Sequence, residues 1–213
     1  MRRIEKAAVI GSGIMGGGIA ALLASAGIPT LLLDIVPFDL KEEEKNDPKA
    51  RNRIVQGGLD AAKKAKPPLF MDPKNDPALI SIGNLEDDID KLKECDWIVE
   101  VVVERLDIKQ DLFKKVDGVR KQGSVVSSNT SGIPLQQMTK DLSEDMRQHF
   151  LGTHFFNPVR YMHLLEIIAG PDTLPDVLNF MADFGEKFLG KGIVWAKDTP
   201  NFIGNRIGVR ISA

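Results

Sequence analysis

Residues 6–34 read KAAVIGSGIMGGGIAALLASAGIPTLLLD. An apolar run leads into the glycine stretch GSGIMGGG at 11–18, and IAALLASAG then supplies the small apolar residues of a helix packed closely on a sheet. This is the order strand, tight turn, helix. Gly27 stands where a helix C-terminus takes a left-handed residue, and TLLLD at 30–34 is a second apolar run closed by an acid. The unit opens a βαβ crossover. Gly11, Gly13 and Gly16 have GxGxxG spacing: the first permits the turn, the second lets a pyrophosphate approach the backbone, and the third lets the helix pack. A helix start also offers unpaired N–H groups and partial positive charge, so the candidates for holding phosphates are Gly11, Gly13, Ile14, Met15 and Gly16. Asp34 lies 23 residues after Gly11, at the end of the second strand. A carboxylate there accepts from both ribose hydroxyls and repels a 2′-phosphate, which predicts NAD rather than NADP as the cofactor. The competing reading of Asp34 is a turn residue capping its strand. Gly17 and Gly18 read as packing glycines.

Beyond Asp34 the texture changes. Residues 39–73 are rich in charge, Lys and Pro, with a helix predicted over ARNRIVQGGLDAAKKAK at 50–66, and read as an excursion from the sheet. LISIGN follows, then DWIVEVVV as a buried strand running to Val103, DIKQDLFKKVDGVRK as an amphipathic helix, and SVVSS as another strand. This alternation predicts an α/β fold with a Rossmann-like, doubly wound, mostly parallel sheet. HFLGTHFF, HLLEIIA, a helix over 175–189 and IVWA are candidates to extend it. Thr199 and Pro200 have the form of a cap and first helical residue, so a further helix is predicted from there. A helix starting so near the last residue predicts a fragment, the competing reading being a helix docked on its own domain.

The 213 residues are 43% hydrophobic and 27% charged, enough to close a core, which excludes collagen-like, disordered and disulfide-stapled classes. With 28 basic against 30 acidic side chains the net charge is -2, giving no global field for a polyanion, so nucleic acid is not an expected partner. The lone Cys95 and the absence of an apolar leader before the glycine loop predict a reducing, cytoplasmic setting. Apolar runs are too short and too interrupted for a membrane segment, and no ligand cluster is seen for a metal.

In open α/β sheets ligands gather at the carboxyl ends of strands, which directs attention to Glu104 after WIVEVVV, to SSNTS at 127–131 and to HFFNP at 154–158. Glu100, inside an apolar run, reads as a half-buried polar residue or an edge-facing charge. Of the three histidines only His154 stands at such a junction, with aromatic neighbours and an Asn-Pro turn. Glu166, twelve residues on, lies in an apolar run that buries it, and a buried carboxylate needs a partner such as an imidazole. The two make a candidate base–orienter pair. Taken alone, either is more simply a satisfied core group. Cys95 has no base beside it and reads as packing.

GSGIMGGGIA with Asp34, VVVERLDIK at 101–109, SNTSG at 128–132, GTHFFNPVRYMHLLEII at 152–168 and KDTPNFIGNR at 197–206 resemble, in order, the NAD-binding domain of L-3-hydroxyacyl-CoA dehydrogenases. The likeness spans nearly the whole chain outside the charged excursion, and is nearest to bacterial multifunctional fatty-oxidation proteins. It implies a dinucleotide-binding domain over 1–198 and the start of a truncated helical domain over 199–213, through which the full-length protein forms a homodimer. It also implies NAD-dependent oxidation of L-3-hydroxyacyl-CoA to 3-oxoacyl-CoA in fatty acid β-oxidation. By position, the catalytic histidine falls on His154 and its acidic partner on Glu166. The serine and asparagine that contact the substrate oxygen fall on Ser131 and Asn205. Glu104, Lys109 and Asn129 fall on the cofactor side. The sequence departs from the family pattern at Asn201, where glycine is common, and at Gly132, where serine is frequent. Lys63, Lys64 and Lys66, with Arg51 and Arg53 nearby, are candidates for the phosphates of coenzyme A. The competing reading there is a solvated helix face balanced by Glu42, Glu43 and Glu44. A dehydrogenase acting on a non-CoA 3-hydroxy acid and a non-catalytic NAD-binding protein are the alternative functions.

Overall fold

The computed structural model describes residues 2–204. Each apolar run becomes a strand: β1 (Ala7–Ile10), β2 (Thr30–Asp34), β3 (Ile80–Asn84), β4 (Trp97–Glu100), β5 (Val125–Ser128), β6 (Phe150–Phe155), β7 (Leu164–Ala169) and β8 (Gly192–Ala196). They form one sheet in the order β3-β2-β1-β4-β5-β6-β7-β8. Strands β1 to β6 are parallel, β7 returns antiparallel beside β6, and β8 is parallel to β7. The direction of winding switches at β1, between β2 and β4, and a switch point opens a crevice at the carboxyl ends of the strands. The doubly wound, mostly parallel sheet expected from the sequence is thus the observed fold, and the runs after Ser131 add their strands to it.

The helices are α1 (Ile14–Ser25), α2 (Pro48–Arg51), α3 (Arg53–Lys64), α4 (Leu106–Val119), α5 (Leu135–Thr139), α6 (Glu144–Gln148) and α7 (Pro175–Lys187). Side chains alternate across each strand, so the core has two halves. Val9, Leu32, Val99 and Val125 face α1, α3 and α7, whereas Ile10, Leu31, Leu33, Ile98 and Val126 face α4, α5 and α6. Helix α1 is apolar on every side and buried from Gly16 to Ala24, held between the sheet and α3. Helix α3 buries only Val55, Leu59 and Ala62, one stripe at helical spacing. Among the described residues no helix is long and apolar enough to cross a membrane.

Three expectations are corrected. Strand β4 stops at Glu100 instead of continuing to Val103, because the Glu100 carboxylate accepts the Val102 N–H at 2.7 Å and turns the backbone out of the ladder. The excursion helix is broken at Asn52 into α2 and α3. The last predicted helix starts later than Pro200: Asn201 and Phe202 have φ of 65° and 42°, which a right-handed helix does not allow, the chain turns through Ile203, and Gly204 is the first helical residue. The rest of that predicted helix, from 205 to 213, lies outside the described residues, and so does Asn205. The short helices α5 and α6 have no counterpart in the sequence reading.

Candidate active site

The glycine loop joins β1 to α1, and its three glycines do three different things. Gly11 has φ of +105°, and a Cβ there would lie 2.5 Å from the Val101 carbonyl oxygen. A Cβ on Gly16 would lie 1.8 Å from the Gly11 carbonyl oxygen, so helix and loop touch through it. Both are demanded by the fold itself. Gly13 is different: it has an ordinary φ of -63° and open space where its Cβ would be. It is also the N-cap of α1, which has no side-chain cap and no acid in its first turn, so the N–H groups around Ile14 and Met15 are left for an outside acceptor. Ile14, an apolar side chain, is 78% exposed there. These features fit a dinucleotide pyrophosphate. A cleft of about 300 Å³ between this loop and α3 is lined by Ser12, Gly13, Ile14, Gly58, Ala62 and Leu69. A larger hollow of about 480 Å³ at the far edge, between α7 and β8, carries none of the candidate groups.

Asp34 ends β2 beside the loop. Its Oδ2 accepts from both the N–H and the hydroxyl of Ser12, each at 2.6 Å, and Oδ1 accepts the Ile35 N–H. Ser12, which sequence reasoning passed over between two glycines, therefore fixes the carboxylate at the mouth of the cleft.

Glu104 follows β4 and organises the loop after β5. Its Oε1 accepts from the Thr130 hydroxyl, from the Ser131 N–H at 2.9 Å and from the Gly132 N–H at 3.2 Å, while Oε2 lies 3.2 Å from Lys109 Nζ. Burial pushes this carboxyl up, but the Thr130 hydroxyl, the Lys109 charge and the Ser131 N–H outweigh it and hold it below the ordinary carboxylate range. Lys109 is itself 1% exposed and paired at 2.6 Å with Glu100, which is fully buried and also accepts from Ser128. Lys109 thus meets the crevice through Glu104. Asn129 caps the end of β5 by accepting the Phe155 N–H at 2.9 Å, and Ser131 stands exposed on the same loop.

His154 and Glu166 face each other directly in the antiparallel register of β6 and β7. Nδ1 of His154 donates to Glu166 Oε2 at 2.6 Å, with the imidazole 5% exposed and the carboxylate fully buried. Among the described residues His154 Nε2 has no hydrogen-bond partner. The ring is flanked by Phe156 at 4.5 Å and Phe202 at 5.6 Å. Lys191 is buried, which pushes the pKa of its ammonium down, and it pins the loop after β6 by donating to the Val159 and Met162 carbonyls. The other candidates part company. His149 lies before β6, at the opposite end of the sheet, between Arg2 and the Asp145 carbonyl. Arg51 is committed to Glu86 and Asp87, and Arg53 to Asp39. Lys63, Lys64 and Lys66 are exposed at the end of α3. Thr130, Ser12 and Glu100 are the site groups that sequence reasoning did not place, although an acid inside an apolar run was a signal for the last.

The model of the 3-hydroxyacyl-CoA dehydrogenase NAD binding domain matches residues 6–199. A Bacillus subtilis protein named "Probable 3-hydroxyacyl-CoA dehydrogenase" is 57% identical over 213 residues, covering 97% of this chain and 27% of its own. A Deinococcus radiodurans protein of the same name is 51% identical over 208 residues, covering 97% of this chain and 57% of its own. Among solved structures, the (S)-3-hydroxybutyryl-CoA dehydrogenase of Ralstonia eutropha superposes with a TM-score of 0.76 at 30% identity, over 98% of this chain and 69% of that one. The chain therefore spans between about a quarter and somewhat over half of these two curated relatives.

Proposed function

We propose, from the premise that the chain belongs to the 3-hydroxyacyl-CoA dehydrogenase family as its NAD-binding domain, that the protein it forms oxidises L-3-hydroxyacyl-CoA to 3-oxoacyl-CoA. The observation that carries this reading is the buried His154–Glu166 pair, set at 2.6 Å by strand register on the sheet edge that also bears the glycine loop. Gly13, Ile14, Met15 and Asp34 would hold the cofactor, with Glu104 and Asn129 toward its nicotinamide half. Bound NAD supplies the acceptor for the C3 hydride. His154 takes the hydroxyl proton at Nε2, and Glu166, fixed on Nδ1, offsets the positive charge that develops on the ring. In the reverse direction His154 returns the proton. Ser131 and Asn205 hold the substrate oxygen in line.

Exposed Lys63, Lys64 and Lys66 meet the phosphates of coenzyme A, and the commitment of Arg51 and Arg53 to acidic partners leaves that task to the lysines. In this reading residues 1–198 are the dinucleotide-binding unit and 199–213 lead into a helical domain that completes the acyl site and the dimer. The setting is cytoplasmic fatty acid oxidation.

The test is NADH oxidation with acetoacetyl-CoA by the natural full-length protein, followed at the nicotinamide absorbance. Turnover is expected, with a fall of roughly 10²-fold to 10⁴-fold in His154→Ala. An unchanged rate in that variant, or NADH binding without any turnover in the parent, would remove the assignment.

A further inference from the structure

Glu166 has two oxygens and two attachments. Oε2 holds His154, and Oε1 accepts the backbone N–H groups of Ile203 at 2.9 Å and Gly204 at 2.8 Å. The carboxylate is fully buried, so an oxygen stripped of its donors would have no water to turn to. The segment that brings those donors is fastened at several points around the site. Asp198 accepts from the Leu135 and Gln136 N–H groups at the start of α5. The Asn201 side chain sits where a Cβ on Gly132 would come within 3.3 Å of it, beside Ser131. Phe202, 2% exposed, packs on the His154 ring. At Gly204 a Cβ would lie 2.6 Å from Phe156 Cζ, and Phe156 flanks the same ring from its other neighbour position.

We propose that residues 198–204 are a positioning strap for the His154–Glu166 pair, with the Ile203 and Gly204 N–H groups as positioning groups that hold Glu166 Oε1 and thereby keep Oε2 on His154. The inference rests on the dehydrogenase reading above and adds to it residues that touch neither cofactor nor proton. It follows that Gly204 is glycine for a catalytic reason. A methyl group there moves Phe156 or draws the N–H away from Glu166, and either displaces the imidazole.

The experiment uses the full-length protein with NADH and acetoacetyl-CoA, comparing wild type, Gly204→Ala, Phe156→Leu, and the two substitutions combined. Gly204→Ala is expected to lower kcat by roughly tenfold to a hundredfold, since misplacement of a proton-transfer group by about an ångström has that effect. NADH affinity, read from nicotinamide fluorescence, should stay within about threefold, because the contacts of Gly204 fall on Glu166 and Phe156 and not on the glycine loop or Asp34. Phe156→Leu makes room for the methyl and should return kcat to within about threefold of the Phe156→Leu single variant. A wild-type kcat in Gly204→Ala, or a loss that Phe156→Leu does not relieve, overturns the strap. Should Gly204→Ala fail to bind NADH, Ile203→Pro, which deletes one donor to Glu166 without adding bulk at Phe156, takes its place: a kcat lowered about tenfold or more with NADH affinity retained supports the strap, and a wild-type kcat overturns it. Absence of turnover in the wild type would instead strike the dehydrogenase reading, so the two failures are distinct.

Discussion

Lys109 shows how a residue's role depends on where its charge ends. Motif position put it on the cofactor side, yet it lies under the sheet edge with its ammonium between Glu100 and Glu104. Replacing it by methionine keeps most of the side-chain volume and leaves the buried Glu100 carboxylate without its cation, which costs about 3–5 kcal/mol. Lys109→Met should therefore lower the urea midpoint strongly, and adding Glu100→Gln should return more than about 1 kcal/mol by removing the orphaned charge. Additive losses in that cycle would mean the pair contributes nothing by pairing. The burial was legible in principle, because Lys109, Leu112, Phe113 and Val116 are one helical stripe of α4 and all four are buried. His154 and Glu166 were legible for a related reason, as an acid in an apolar run demands a partner. Ser12 and Thr130 were not, since a hydroxyl in a loop has many local acceptors and its choice is made only by the fold.

At the scale of elements, the turn from β1 into α1 separates two uses of glycine that the sequence pattern treats alike. Gly16→Ala places a methyl on the Gly11 carbonyl and should cost roughly 3 kcal/mol or more, with loss of the native thermal transition. Gly13→Ala meets nothing, and loss of a glycine N-cap costs no more than about 1 kcal/mol, so the melting temperature should stay close to wild type. NADH affinity should nevertheless fall in Gly13→Ala, because the methyl fills the space through which the phosphates approach the backbone. Equal effects of the two substitutions on melting would contradict the division. The strands and the long helices were readable because their periodicity is carried by many residues at once. Boundaries that depend on one contact were not: β4 ends where Glu100 captures the Val102 N–H, and the strap turns where Asn201 and Phe202 enter positive φ.

Across the whole molecule, the sheet keeps its chemistry at the carboxyl ends of the strands and a set of polar latches at the amino ends. Asp96, just before β4, accepts the Glu5 and Lys6 N–H groups and the Lys121 ammonium, tying the entries of β1, β4 and β5. Asp145, in α6 before β6, accepts the Gly123 N–H and is paired with Arg120. Burial pushes both carboxyls up, yet for Asp96 the Lys121 bond and two N–H groups, and for Asp145 the Gly123 N–H and the Arg120 guanidinium, win and leave each below the ordinary range. A carboxyl lowered by folding binds its proton more readily in the unfolded chain. Its stabilisation is complete above the unfolded value near ~3.9 and is lost as pH falls through the folded one. The urea midpoint of wild type should therefore drop between about pH 5 and pH 2. Asp96→Asn and Asp145→Asn should begin lower at neutral pH and converge on wild type in acid, because the amide has no proton to gain. Both latches stand at the end of the sheet away from His154, so NADH oxidation by the full-length variants at neutral pH should remain within about twofold of wild type. Parallel pH curves for variants and wild type would show that these carboxylates do not carry the acid limb of stability.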